Sequence, residues 1–238
     1  IDWQIAHRTY TGISLLGMFL CYTAEVRDRL LFFNQRQLYR QQQRTQALAD
    51  RLHRLSREDS LTSLANRRFF DEALEREWRR CKREKKPLAV MLVDVDHFKD
   101  YNDHYGHLKG DECLQALATE LRRYGRRGGD LVARFGGEEF VLLYPGVEEA
   151  EAMQLASRVC RAVRMLGMPH KPNPRVGEVT ISVGAAVMVP GERNCAEQLL
   201  EAADRALYQA KTAGRDTWKL YSPPPPVRLV SDTAKPDD

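Results

Sequence analysis

Apolar positions follow two periods between residues 59 and 221, one typical of helices and one typical of strands. Helical spacing predicts amphipathic helices in four places, namely from Phe70 to Cys81, within 102–124, at 150–166 and at 196–213. Continuous apolar runs predict strands at 88–94, 179–189 and 217–221, and a hairpin over 133–143. Interleaved helices and strands of this kind predict an α+β fold with a mostly antiparallel central sheet flanked by helices.

A long helix is predicted ahead of this domain, because residues 26–57 contain no Gly or Pro and are rich in Gln, Arg and Leu. Its two heptad positions hold Leu31, Leu38, Thr45 and Leu52, and Asn34, Gln41, Leu48 and Leu55. Five of these eight residues are apolar, so we expect a parallel coiled-coil dimer over residues 26–58 whose polar positions fix the register. A solitary solvated helix is the alternative, although little would stabilise a helix of this composition.

The N-terminal residues 1–25 contain an apolar run, because 9–24 carry no charge and 12–22 are strongly apolar. The run is shorter than the about 20 residues that a bilayer core needs. Three interpretations stay open: a buried core helix, an amphipathic dimer contact, and the cytoplasmic half of a transmembrane helix. Arginines follow directly, which favours the membrane interpretation. Since the chain begins with Ile1, we expect a fragment or processed chain, so that a signal peptide cannot be judged.

The expected location is therefore a cytoplasmic domain tethered to a membrane through an upstream sensor region, with a soluble cytoplasmic protein as the alternative.

The five cysteines are scattered without a C-x-x-C pair, which argues against a zinc cluster or a disulfide framework and fits a reducing compartment. At the other end of the chain, the proline run 223–226 and a polar tail predict disorder over 222–238.

Charge is unevenly distributed along the chain and excludes one class of partner. The formal net charge is +4, but residues 1–58 hold nine Arg against five acidic residues, and the remainder is balanced. A neutral main domain argues against a nucleic-acid-binding protein, which normally carries a basic face. With 238 residues and 43% hydrophobic content, the chain can bury one core and carry extensions.

Candidate chemistry is concentrated in acidic residues at strand ends. Glu138 and Glu139 follow two glycines at the tip of the predicted hairpin, and Asp94 ends a buried strand. Carboxylate oxygens without His or Cys partners select Mg²⁺ or Mn²⁺, and two such ions suit phosphoryl or nucleotidyl transfer. Lys211 and Arg215, one turn apart, can face the phosphates of a nucleotide. An ordinary hairpin with a solvated tip, and a helix end with solvated cations, are the alternatives.

These residues resemble the GGDEF domain family of bacterial diguanylate cyclases, here in the GGEEF form. The resemblance covers about residues 59–221 and rests on five motifs in order: DxLTxLxNRRxF at 59–70, DVDHFKDYNDHYGHLKGD at 94–111, RFGGEEF at 134–140, VTISVG at 179–184 and ADRALYQAKTAGR at 203–215. The family implies a palm-like nucleotide-cyclase fold. It also implies a homodimer in which two GTP molecules condense into cyclic di-GMP and two pyrophosphates.

The resemblance also implies roles for individual residues. Asp94, the backbone carbonyl of Val95, and Glu138 match the metal ligands, and Glu139 matches a second carboxylate that assists metal binding or deprotonation of the 3′-hydroxyl, with two Mg²⁺ or Mn²⁺ ions in each site. Residues that match the GTP site are Phe98, Lys99, Asn102, His107, Asp111, Gly136, Gly137, Lys211 and Arg215. Of these, Asn102 and Asp111 match the residues that read guanine, and Lys99, Lys211 and Arg215 match phosphate contacts.

A regulatory site is implied as well. Arg127 and Asp130 match the family's RxxD inhibitory site for the product cyclic di-GMP, and Arg158 matches the position of a secondary contact. A turn-flanking ion pair of little consequence is the alternative. For the chain as a whole, a catalytically silent module that senses GTP or cyclic di-GMP and a more general nucleotidyl transferase are the rival functions, whereas a phosphodiesterase is not supported.

Overall fold

The computed structural model of the chain describes Met18, Tyr22 and residues 31–32, 35–46, 57–173 and 175–222. The chain divides into two compact units, Ile1–Arg54 and Leu55–Asp238. In the first unit, residues 35–46 are helical and their side chains are exposed. Most of the predicted segment 1–25, part of the predicted coiled coil 26–58 and nearly all of the predicted tail 222–238 lie outside the described residues. No described helix is both long and apolar enough to cross a bilayer.

The second unit is built on one six-stranded sheet in the order β1-β3-β4-β2-β5-β6. The strands are β1 (Ala65–Asn66), β2 (Leu88–Val95), β3 (Leu131–Gly136), β4 (Glu139–Pro145), β5 (Ile181–Met188) and β6 (Trp218–Leu220). The inner pairs β3–β4, β4–β2 and β2–β5 are antiparallel, and the edge pairs β1–β3 and β5–β6 are parallel. The α+β prediction with a mostly antiparallel sheet is confirmed.

Five α-helices flank the sheet in the described part of this unit. They are α1 (Arg67–Glu84), α2 (Phe98–Tyr105), α3 (His107–Leu121), α4 (Glu149–Arg164) and α5 (Ala196–Thr212). Two hydrophobic cores result, one on each face of the sheet. Residues of α3 and α4 belong to one core, and residues of α1 and α5 belong to the other.

Strand β2 lies at the centre of this arrangement because its sequence is apolar on both faces. All eight of its residues are buried. Alternate residues such as Ala89 and Met91 join one core, and their neighbours Leu88 and Val90 join the other. A strand that is buried on both faces can carry a charged residue only where it ends, at the rim of the sheet. In β2 this residue is Asp94.

The helix predicted within residues 102–124 is interrupted, which corrects the sequence interpretation. The chain forms α2 and α3 with a break at Gly106, whose φ of +84° is outside the helical region, and ends in a 3₁₀ turn at Arg122–Tyr124. Glycine adopts this conformation at little cost, which allows the helix axis to change direction at Gly106. Because the apolar residues keep their helical spacing on both sides of the break, the sequence pattern did not reveal it. Strand β1 was not predicted, because two residues are too few to show a period.

Glycine at position 184 sets how closely α5 approaches the sheet. A Cβ built on Gly184 would lie 2.1 Å from the backbone nitrogen of Leu207 and 2.2 Å from the carbonyl oxygen of Ala203. Both obstacles are backbone atoms of α5, so no side-chain rotation relieves them. The close packing of α5 on β5 therefore requires glycine here.

We predict that Gly184→Ala lowers the free energy of unfolding by about 1–3 kcal/mol or more, because an overpacked helix–sheet contact must open. Chemical denaturation of the purified variant measures this change. Gly191→Ala is the matched control, since its Cβ would meet only Asn194 Oδ1, at an ordinary 3.7 Å. Equal stability of the two variants would contradict the packing argument.

Candidate active site

Three carboxylates meet where β2 ends. In the sheet register, Asp94 on β2 lies opposite Glu139 on β4 and opposite Ser182 on β5. Glu138 precedes Glu139 at the turn between β3 and β4. Strand pairing thus brings Asp94 close to Glu138 and Glu139, which follow it by more than forty positions in the sequence.

The electrostatics of this cluster favour a cation. Burial raises the pKa of Asp94, the ammonium group of Lys211 opposes this effect, and the charges of Glu138 and Asp96 add to it. Burial also raises the pKa of Glu139, and the charge of Asp94 contributes in the same direction. The Nζ atom of Lys211 lies 2.8 Å from Asp94 Oδ2 and provides partial neutralisation. A cluster whose members raise one another's pKa gains free energy from a further positive charge.

The donor chemistry fits a hard divalent cation, although the side chains are not closed around a point. Among the described residues, no group of three His, Cys, Asp or Glu side chains converges as a preformed metal site. Asp94 forms a salt bridge with Lys211 in this arrangement. Carboxylate oxygens and the backbone carbonyl at the end of β2 are the ligand types that Mg²⁺ and Mn²⁺ accept. The residues therefore suit these ions once Lys211 releases Asp94.

The Gly-Gly turn beside the carboxylates has open space above it. A Cβ at Gly136 or Gly137 would meet no atom within 4 Å, and Gly137 has a φ of +51°. Arg134 supports the turn by donating from Nε and Nη2 to the Gly137 carbonyl at 2.9 and 2.8 Å. The same guanidinium pairs with Asp59 at 3.1 Å. The turn is thus fixed to the start of the domain while its outer face stays accessible to a ligand.

The predicted base-reading and phosphate residues lie on α2 and α3, which follow β2 directly. Lys99, His107 and Asp111 are exposed. The side-chain Oδ1 of Asn102 is buried and has no hydrogen-bond partner. Phe98 differs from its neighbours, because its ring is only 7% exposed and stacks on Tyr101, with ring centroids 6.0 Å apart. Phe98 thus belongs to the core, and its predicted contact with nucleotide stays a prediction.

Asp96 is a buried carboxylate to which the sequence assigned no role. It is 1% exposed, and its Oδ2 accepts hydrogen bonds from Thr180 Oγ1 at 2.8 Å and from the backbone N–H of Asp216 at 2.9 Å. Its Oδ1 accepts from Ser182 Oγ at 2.7 Å. The bond from Asp216 ties this network to the turn after α5, in which Arg215 and Asp216 have left-handed φ values of +63° and +50°. In the sequence, the only indication of this network was the pair of hydroxyl residues, Thr180 and Ser182, at the start of the apolar run 179–189.

A second polar site surrounds Arg127 and Asp130. The backbone N–H of Arg127 donates to Asp130 Oδ2 at 2.9 Å, and the Arg127 guanidinium pairs with Glu151 on α4 at 2.8 Å. Arg127, Asp130 and Arg158 line one cavity of about 400 Å³. The buried hydroxyl of Tyr144, another residue of this cavity, has no hydrogen-bond partner. The three residues that the sequence groups as one site thus lie together.

Comparison with known proteins settles the family. Residues 56–217 match the family model described as diguanylate cyclase, GGDEF domain. The chain belongs to the GGDEF domain family. The match covers the whole second unit apart from its ends, including β2, the Gly-Gly turn and α5.

Named relatives agree with this assignment. The GGDEF domain is 42% identical over 158 residues to diguanylate cyclase DgcP of Pseudomonas aeruginosa, covering 66% of this chain and 23% of DgcP. It is 36% identical over 166 residues to probable diguanylate cyclase DgcC of Escherichia coli, covering 70% of this chain and 43% of DgcC. The chain therefore spans less than half the length of these relatives.

Solved structures give the same result for the fold. The coiled coil and GGDEF domain of DgcB from Caulobacter crescentus, in complex with c-di-GMP, superposes with a TM-score of 0.68 at 27% identity. This superposition covers 76% of the present chain and 93% of the DgcB chain. The predicted palm-like GGDEF fold is confirmed.

We predict that Mn²⁺ raises the thermal midpoint of the isolated GGDEF chain, because a cation relieves the mutual repulsion of the carboxylates. At 100 times its dissociation constant, the ion would stabilise the folded state by about 2.7 kcal/mol. Since the pKa values of Asp94 and Glu139 are raised, protons compete with the ion at a higher pH than at ordinary carboxyls. The gain should therefore shrink as the pH falls toward those raised values.

Differential scanning fluorimetry across pH measures this effect. Asp94→Asn should lose most of the gain, whereas Glu192→Gln, an exposed acidic position paired with Lys82, should keep it. A gain of the same size in Asp94→Asn would show that the ion binds elsewhere.

Proposed function

We propose that this chain condenses two molecules of GTP into cyclic di-GMP. In each half-reaction the 3′-oxygen of one GTP attacks the α-phosphorus of the other. A phosphodiester bond forms, the bond to the β-phosphate oxygen breaks, and pyrophosphate leaves. Two such steps give one cyclic di-GMP and two pyrophosphates, and they require two GTP-bearing domains to face each other as a homodimer.

The observation that carries this proposal is the cluster at the end of β2. Asp94 and Glu139 are cross-strand neighbours, Glu138 follows the open Gly-Gly turn, and Lys211 reaches Asp94 from α5. Acidic groups for cations, a glycine surface for phosphates and a nearby ammonium group are the parts that nucleotidyl transfer needs. The named cyclases among the relatives support the same activity.

Two bound Mg²⁺ or Mn²⁺ ions would lower the pKa of the attacking hydroxyl and stabilise the charge that develops on the phosphates. Asp94, Glu138 and the Val95 carbonyl would hold these ions. Glu139, whose raised pKa improves it as a proton acceptor, would assist in binding them or take the proton of the 3′-hydroxyl. Lys211 would exchange Asp94 for a phosphate oxygen as cations arrive, and Lys99 and Arg215 would contact further phosphate oxygens.

Guanine would be read by Asn102 and Asp111. An ionised Asp accepts hydrogen bonds from the N1–H and N2 amine of guanine, a pattern that adenine does not offer. Support comes from the Asn102 carboxamide, which holds a buried oxygen that still lacks a partner. Phe98, His107, Gly136 and Gly137 would form the remaining surface around the nucleotide.

Pairing of the domains would come from the N-terminal helix. The heptad residues Leu31 and Leu38, which are exposed in the single chain, would pack against a second copy. The DgcB structure, described as a coiled coil and GGDEF domain, supports this assignment. A membrane-embedded sensor upstream would then control pairing from the inner membrane.

We predict that the purified chain, incubated with GTP and Mg²⁺, forms cyclic di-GMP at a rate per subunit that rises with protein concentration. Asp94→Asn and Glu138→Gln should lower turnover by at least about a hundredfold, since each removes a charge that holds the ions. Product chromatography measures both results.

Glu192→Gln controls for the loss of an acidic residue far from the cluster and should retain full turnover. Full activity in Asp94→Asn would exclude the proposed metal role. GTP binding without product at any concentration would favour the rival binding module, unless a fused leucine zipper restored turnover. Products that incorporate ATP from a mixture would favour the general nucleotidyl transferase.

We also propose that cyclic di-GMP inhibits the enzyme through Arg127, Asp130 and Arg158. Guanidinium groups can bind guanine edges or phosphate oxygens in a bidentate way, and all three residues line one cavity of about 400 Å³. In the free chain Glu151 pairs with Arg127, so the ligand would have to displace this carboxylate.

Arg127→Ala should raise the inhibition constant of cyclic di-GMP by about tenfold or more, because it removes a charge-assisted contact. Turnover in the absence of product should stay near the wild-type value. Initial rates at increasing cyclic di-GMP measure the inhibition constant, with exposed Arg79→Ala as the control. An unchanged inhibition constant in Arg127→Ala would remove the proposed site.

A further inference from the structure

Gly110 lies in α3 at the point where the side chain of Asn102 crosses from α2. A Cβ built on Gly110 would lie 1.9 Å from Asn102 Oδ1, 3.0 Å from Asn102 Cγ and 3.3 Å from Phe98 Cζ. The position is buried, and the Oδ1 atom has no hydrogen-bond partner. The carboxamide of Asn102 thus occupies the space that any other residue at position 110 would fill.

Glycine is an unfavourable choice for this helix on grounds of stability. In the interior of a helix it costs about 0.5–1 kcal/mol relative to alanine. Unlike the glycines of the turns, Gly110 has no positive φ that would require it. The structural feature that distinguishes position 110 is its contact with Asn102.

The obstacle at Gly110 differs from the obstacle at Gly184. At Gly184 a new methyl group would meet backbone, which can move only with its helix. At Gly110 it would meet chiefly the end of a side chain, which can rotate away. Alanine at 110 should therefore leave the fold intact and displace the Asn102 carboxamide.

We propose that Gly110 is a positioning residue for guanine recognition, because its lack of a side chain admits the Asn102 carboxamide into the space between α2 and α3. Asp111, the next residue along α3, would read the base together with Asn102 in this arrangement. The inference rests on the proposed function, in which Asn102 and Asp111 bind guanine. It adds that the identity of residue 110 sets the selectivity for the base.

The test is a double-mutant cycle on the full chain with Gly110→Ala, Asn102→Ala and the double variant. KM for GTP, the discrimination between GTP and ATP, and the thermal midpoint are measured for each. Gly110→Ala should raise KM for GTP about tenfold, the effect of losing a hydrogen-bonding pair at the base, with discrimination reduced in parallel. Its thermal midpoint should equal or exceed that of the wild type.

The combined variant is decisive, because Asn102→Ala removes the atoms that a Cβ at 110 would strike. If Gly110 acts through Asn102, the double variant has the KM of Asn102→Ala alone. Fully additive effects together with a lowered thermal midpoint would show a general packing role and overturn the inference. A further outcome is that Gly110→Ala keeps the wild-type KM and discrimination while Asn102→Ala alters both. This result would overturn the role of Gly110 but would leave the guanine site supported. Unaltered discrimination in Asn102→Ala would overturn the guanine site itself, and the role of Gly110 with it.

Discussion

The hydrogen bonds accepted by the buried carboxylate of Asp96 determine how the parts of the catalytic region meet. A carboxylate that is 1% exposed needs donors, and it finds them on Thr180, on Ser182 and in the backbone of Asp216. These donors come from the start of β5 and from the turn after α5. Because the acceptor is two residues beyond Asp94, the turn that carries Arg215 is fixed relative to the acidic cluster. One buried carboxylate thereby links the end of β2, which carries Asp94, to the turn that carries Arg215.

The ammonium group of Lys211 partly neutralises the negative charge of the acidic cluster. Burial and mutual repulsion disfavour the ionised carboxylates, and the ammonium of Lys211 compensates at Asp94. Under the proposed function, a divalent cation would compete with Lys211 for Asp94, and a phosphate would offer Lys211 a new partner. Arg127 and Glu151 form a comparable ion pair at the second polar site.

Glycine serves this domain in ways that differ in their physical basis. The Gly-Gly turn keeps a surface open, Gly106 allows a change of helix direction, and Gly184 allows α5 to approach the sheet. Gly110 instead leaves room for one polar side chain. At Gly184 the neighbouring atoms are backbone atoms of α5, whereas at Gly110 the nearest atoms belong to the side chain of Asn102.

The sequence by itself determined the order of helices and strands apart from the short β1 and the break at Gly106, the burial of β2 on both faces and the grouping of acidic residues at strand ends, because apolar period and burial on both faces are local properties of the chain. Motif spacing led to the family, which the comparison confirmed. Tertiary structure alone decided the break at Gly106, the pairing of Lys211 with Asp94, the role of Asp96 and the contact of Asn102 with Gly110. Each of these depends on atoms from separate elements coming within a few ångströms of one another. No local pattern encodes such distances, because they follow from how the helices pack on the finished sheet.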